Sequence, residues 1–104
     1  MGILVICSYR PRAGHEEEAR LLMAGHLPLL REHGLITDRA VVQGVAQDGE
    51  LVEIFEWESV EKSRGAPALP EIGAHWKAMS EVMDFVPLAQ LAEAQHAFAH
   101  FNPI

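Results

Sequence analysis

Asp38-Arg-Ala-Val-Val-Gln-Gly-Val-Ala-Gln-Asp-Gly-Glu-Leu-Val-Glu-Ile-Phe-Glu-Trp-Glu58 is the stretch that decides the fold. Two apolar runs, residues 38–47 and 51–58, flank Asp48-Gly49. Asp-Gly supplies the positive φ values of a two-residue type I′ turn, so the stretch predicts a β-hairpin. That turn would set Gln47 opposite Glu50, Gly44 opposite Glu53, Val42 opposite Phe55 and Ala40 opposite Trp57. One face then carries Leu51, Glu53, Phe55 and Trp57 beside Ala40, Val42, Gly44 and Ala46. Large groups would meet mostly small ones, leaving room for a ligand or for helix side chains.

Working outward, Gly2 to Arg10 is a β-branched run closed by Pro11 and reads as a first strand. Ile3, Val5, Cys7 and Tyr9 share one face, with Leu4, Ile6 and Ser8 on the other. Both faces are apolar, so both need cover. A helix is expected from His15 to His33, with Glu16, Glu17 and Glu18 at its positive end and Gly34 stopping it. At about 100° per residue, Ala19, Leu22, Met23, His26, Leu30 and His33 form one stripe, with Pro28 on the solvent side. Ser59 starts a short helical turn, and Pro70 opens a second main helix through Met83 with Ile72, Trp76, Met79 and Met83 inward. Residues 85–93 read as a loop or a short helical turn, and His96 to Phe101 as a fourth strand ended by Pro103. The order is β-α-β-β-α-β, an α+β ferredoxin-like arrangement with a four-stranded antiparallel sheet. Both helices would lie on one face, and a second copy of the chain is the simplest cover for the other.

The composition bounds the function. With 104 residues and 49% apolar content, the chain suits one domain over residues 1–104. No apolar run approaches the roughly 18 residues of a membrane span, and the start lacks the basic region and cleavage site of a signal peptide. The single Cys7 allows no internal disulfide and no Cys-based zinc site, and suits a reducing, cytoplasmic setting. Eight Lys and Arg against fifteen Asp and Glu give −7, which argues against nucleic acid and against an anionic membrane surface.

The element order, the strand Ile3-Leu-Val-Ile-Cys7, the hairpin at Asp48-Gly49 and the helix Ile72-Gly-Ala-His-Trp-Lys-Ala-Met79 together resemble the dimeric α+β barrel superfamily. That group includes antibiotic-biosynthesis-monooxygenase-like domains. The resemblance covers nearly the whole chain as a pattern, without a diagnostic motif. It implies a homodimer whose sheets meet face to face, with a cavity between sheet and helices in each protomer. It also implies cofactor-free oxygenase or isomerase chemistry among the possible activities. The haem-degrading branch combines a first-strand Asn with Trp and His, whereas this chain has Ser8 and Tyr9 on that strand and Asn102 as its one Asn.

Glu53, between Leu51 and Phe55, is the candidate catalytic base or acid, because apolar surroundings raise a carboxyl pKa. The bland alternative is a solvated or Arg-paired Glu53. His26 is its candidate partner in a His–carboxylate dyad; otherwise it is a core histidine bonded to a carbonyl or water. His75 could turn inward beside them as a third group able to hold a non-haem metal, although no tight ligand spacing supports that. Tyr9, Met23, Phe55, Trp57, His75, Trp76 and Met79 are candidate wall residues for a hydrophobic or aromatic small molecule, or else plain core. No cofactor or metal is expected. Cys7 reads as an inert buried thiol, and a non-catalytic ligand-binding or assembly domain is the alternative to an enzyme.

Overall fold

The computed structural model describes residues 2–104. β1 (Ile3–Pro11) leads through a turn into α1 (Glu16–Glu32). The hairpin strands are β2 (Val42–Val45) and β3 (Leu51–Trp57). A short α2 (Val60–Gly65) precedes α3 (Pro70–Val82), which runs straight into β4 (Met83–Val86). Two 3-10 turns, Leu88–Gln90 and Ala92–Gln95, lead to β5 (Asn102–Pro103). The sheet order is β4-β1-β3-β2-β5, antiparallel at every pairing. The result is an α+β fold with three helices and a five-stranded sheet, compatible with a ferredoxin-like fold.

The helices form where the sequence favours them. Three glutamates occupy the first turn of α1, where the helix dipole favours negative charge. Its buried stripe is Ala19, Met23, His26, Leu27 and Leu30, while Pro28 stays exposed and removes only a solvent-side backbone bond. Ser59 caps α2, its Oγ accepting from the Lys62 N–H at 3.1 Å. Pro70 stands in the first turn of α3, where its missing N–H costs nothing. Ile72, Met79 and Val82 bury the inner face of α3. Phe55, Leu27, Leu30, Trp57 and Ile72 make one core cluster; Tyr9, Met23, Leu51 and Met79 belong to a second.

The hairpin departs from expectation by one residue. A type I′ turn needs positive φ at both central residues, but Gly49, at +96°, alone has it in this turn. Asp48 avoids that penalty because the loop takes three residues instead of two. The Ala46 N–H donates to the Glu50 carbonyl at 2.7 Å and the Gly49 N–H to the Ala46 carbonyl at 3.0 Å. The register therefore sets Gln43, not Gly44, opposite Glu53, and Val42 opposite Ile54 instead of Phe55. The pairing of Ala40 with Trp57 also fails. Ile36 bridges Trp57 instead, and the Thr37 N–H donates to the Glu56 carbonyl at 2.9 Å. The second strand is thus four residues long, not the ten from Asp38 to Gln47.

The fourth strand is also elsewhere. Residues 96–101 make no strand; Met83–Val86 pairs with Ser8–Pro11 of β1, and Pro87 ends it. The tail then crosses the sheet face opposite the main helices, where Leu91 is buried with Ala46 and Val52. Glu93 secures the hairpin tip, one of its carboxylate oxygens accepting from the Gln47 N–H at 2.7 Å. β5 adds the fifth strand beside β2, in place of the expected four-stranded sheet. A side chain at Gly44 would put its Cβ 3.0 Å from the Asn102 carbonyl, so this close approach depends on glycine.

Candidate functional site

Strand alternation turns Leu51, Glu53, Phe55 and Trp57 toward α1 and α3. Glu53 is 0% exposed, in the middle of that row. Its surroundings are not merely apolar, because three donors converge on it. Tyr9 Oη donates to Oε2 at 2.7 Å, His26 Nδ1 meets the same oxygen at 2.8 Å, and Gln43 Nε2 donates to Oε1 at 2.9 Å. Both carboxylate oxygens are thereby satisfied without water, as burial demands.

The tautomer of His26 follows from its other neighbour. Trp76 Nε1 lies 2.8 Å from His26 Nε2. An indole nitrogen can only donate, so Nε2 must be the acceptor and Nδ1 must carry the imidazole proton. A directed chain results: the Trp76 N–H donates to His26, and His26 Nδ1–H donates to Glu53. The sequence suggests a His26–Glu53 dyad, and the two side chains are in contact. Gln43 completes the set and was missed, because the one-residue register difference hid it. Its Nε2 also lies 3.3 Å from the Met23 carbonyl, tying α1 to the hairpin. Asp48-Gly49 fits a three-residue loop as well as a two-residue turn, and only the former places Gln43 opposite Glu53.

A cavity of about 460 Å³ opens beside this chain. Tyr9, His26, Phe55, Trp57, Trp76 and Met79 line it, together with Val5 and Cys7 of β1 and Phe85 to Leu88 beyond α3. It forms where Pro87 turns the chain away from β1 and leaves the Val5–Cys7 edge unpaired on that side. Tyr9 and Phe85 meet edge to face with centroids 5.4 Å apart, and Phe55 and Trp57 do so at 5.3 Å. Ser8 is a further wall residue absent from the sequence expectation, with its Oγ buried and unpartnered.

Two candidates lie outside the cavity wall. Met23 packs in the core with Leu51 and Met79. His75 donates from Nε2 to the Leu22 carbonyl at 2.8 Å and stacks on His26, with ring centroids 5.9 Å apart. Among the described residues, no group of three His, Cys, Asp or Glu is placed to hold a metal ion.

Burial decides the acidities nearby. Loss of solvent, with the Glu53 charge second, pushes the Tyr9 phenol far above its ordinary value. Burial also raises the Cys7 thiol to about 11, with the nearby Tyr9 hydroxyl opposing and the Glu53 charge adding to the rise. Cys7 is thus a poor nucleophile at neutral pH. The hydrogen bonds place the His26 imidazole between the Glu53 carboxyl group and the Trp76 indole N–H, at the edge of an apolar chamber.

Among the described residues, no helix is long and apolar enough to cross a membrane. The chain matches no protein-family model, no curated protein and no solved structure.

Proposed function

We propose that the chain is a small-molecule-binding homodimer of the dimeric α+β barrel type, with the 460 Å³ cavity as the ligand site. Glu53 and His26 form its acid–base pair. Tyr9, Phe55, Trp57, Trp76 and Met79 position a hydrophobic or aromatic substrate. The carrying observation is the Trp76–His26–Glu53 chain of hydrogen bonds at the wall of an apolar chamber. Apolar pockets of about 300–1,000 Å³ with a few convergent polar groups are the usual form of small-molecule sites. The reaction class is proton abstraction from a bound substrate, as in cofactor-free oxygenation or isomerisation. His26 Nε2 accepts the proton once the substrate has displaced the Trp76 indole N–H from it, and the Glu53 carboxylate stabilises the imidazolium so formed.

The homodimer rests on the uncovered sheet face. Ile6, Ile54 and Val42 form a row across β1, β3 and β2, and Leu4 lies one pair further along β1. Leu4, Ile6 and Val42 are 62%, 48% and 55% exposed. The tail covers only the other end of this face. A second copy laid on the row would bury it.

Nitrobenzisoxazole tests the base directly. Removal of its ring C–H proton opens the N–O bond and releases a coloured cyanophenolate, with no other reactant. The wild type should exceed buffer catalysis by about a hundredfold, in the usual range for a positioned base. Glu53→Gln should lose most of that gain. Acceleration that survives Glu53→Gln, or no acceleration, overturns the catalytic assignment. An uncatalysed reaction with aromatic ligands still bound would leave a non-catalytic binding domain.

A further inference from the structure

The cavity wall has an asymmetry that limits what can bind. No Lys or Arg lines it. The nearest cation in sequence, Arg10 on β1, is directed away to Glu50 and Gln90 at 3.1 and 3.2 Å. The buried Glu53 carboxylate lies just behind Tyr9 and His26, so the local field opposes an anion. An anionic ligand would lose its hydration and find no partner for its charge.

His26 sets the second limit. Glu53 holds the imidazole proton on Nδ1, so Nε2 can offer only a lone pair. In the free protein that lone pair accepts from Trp76, whose ring also lines the cavity and is only partly buried. Trp76 sits on α3, packed against both core clusters, so a ligand that takes the place of its N–H must turn the indole away from His26. If it left with no replacement, Nε2 would stay buried and unsatisfied.

We infer that the cavity selects neutral, flat, apolar ligands bearing one N–H or O–H donor, which replaces the Trp76 indole N–H on His26 Nε2. Trp76 is therefore the specificity-determining residue of the site, occupying the donor's place until the ligand arrives. This inference rests on the cavity being the ligand site, as proposed above, and adds the chemical class of ligand. A ligand of the same shape without a donor would strand the Nε2 lone pair when it displaced Trp76. A ligand bearing a carboxylate would meet the Glu53 field with no cation to offset it.

Calorimetric titration with indole, benzofuran and naphthoate separates the alternatives. Indole and benzofuran match in shape, but only indole carries a donor; naphthoate carries a charge. Indole should bind wild-type protein about tenfold more tightly than benzofuran, with naphthoate weakest. Trp76→Phe removes the internal donor and leaves Nε2 bare in the free protein, so indole should bind the variant about tenfold more tightly than wild type while its preference over benzofuran persists. Trp76→Met serves the same purpose if the Phe variant does not fold. Equal binding of indole and benzofuran in wild type and variant overturns the donor requirement while keeping the cavity as a site. Strongest binding by naphthoate overturns the charge argument. If none of the three binds to folded protein, the inference falls together with the ligand site itself.

Discussion

The two faces of the sheet are built from the same strands and solve burial differently. On the helix side, β3 buries Leu51, Glu53, Phe55 and Trp57, and its one charged member is held by three side chains. On the other side, Ile6, Val42 and Leu4 remain exposed, while the tail covers Val52 and Ala46. The first face tolerates a charge because hydrogen bonds from its own chain meet both oxygens of Glu53. The second has apolar area with nothing from its own chain to cover it. Buried charge alone does not mark a site. Glu50 and Glu93 are also buried, yet each keeps one oxygen without a partner and neither contacts His26. What distinguishes Glu53 is a complete donor shell connected to a cavity.

The largest effect expected from this contrast is at Glu53. Glu53→Ala leaves the His26 Nδ1–H, the Tyr9 hydroxyl and the Gln43 amide facing a buried void, and should cost about 4 kcal/mol in urea unfolding. A loss under about 1 kcal/mol would mean that the shell is not worth its burial. On the opposite face, Val42→Lys, outside the cavity wall, should convert the proposed dimer to a monomer in sedimentation velocity. The near-ultraviolet circular dichroism of the helix-side aromatics should stay unchanged. A wild-type monomer at micromolar concentration removes the proposed assembly.

A smaller effect concerns pH. Tyr9 is the one tyrosine, so phenolate absorbance reports it alone. Its acidity is weakened in the fold, so the native state keeps a proton that the unfolded state releases above about pH 10. Its contribution to stability is complete below that pH and declines as pH rises past it. Phenolate should appear only together with alkaline unfolding; phenolate in the folded protein near pH 10 would contradict the buried bond to Glu53.

The smallest effect is at the rim. Glu56 is held below the ordinary carboxyl value by the Thr37 hydroxyl first and by Arg39 next. A lowered carboxyl contributes above its unfolded value and loses that contribution as pH falls through the folded one. Thr37→Val should therefore lower stability at neutral pH slightly and flatten the fall in stability on the acid side. An unchanged acid profile would show that Thr37 does not hold Glu56.

Which residues share the face of Glu53 was legible in the sequence, but not that this face turns toward the helices. Strict alternation through Leu51, Glu53, Phe55 and Trp57 and the 3.6-residue stripe through Met23 and His26 require no knowledge of the partner strand. The hairpin register was not legible, because Asp-Gly fits a two-residue turn and a three-residue loop alike, and the choice depends on φ at Asp48. That single slip concealed Gln43. β4 was hidden for another reason: four residues following a helix without a turn residue between them carry no periodic signal, and only pairing with β1 makes Met83–Val86 a strand. The Trp76–His26 bond was beyond reach as well, since a stripe places a side chain on a face but not its polar atom.

The Trp76–His26–Glu53 chain depends on the position of one proton. Heteronuclear NMR of the imidazole nitrogens at neutral pH should find His26 with a protonated Nδ1 coupled to a slowly exchanging hydrogen, and with a bare Nε2. A His26 protonated on Nε2, or on both nitrogens, would contradict the Trp76-to-Glu53 chain and the acceptor it offers a ligand.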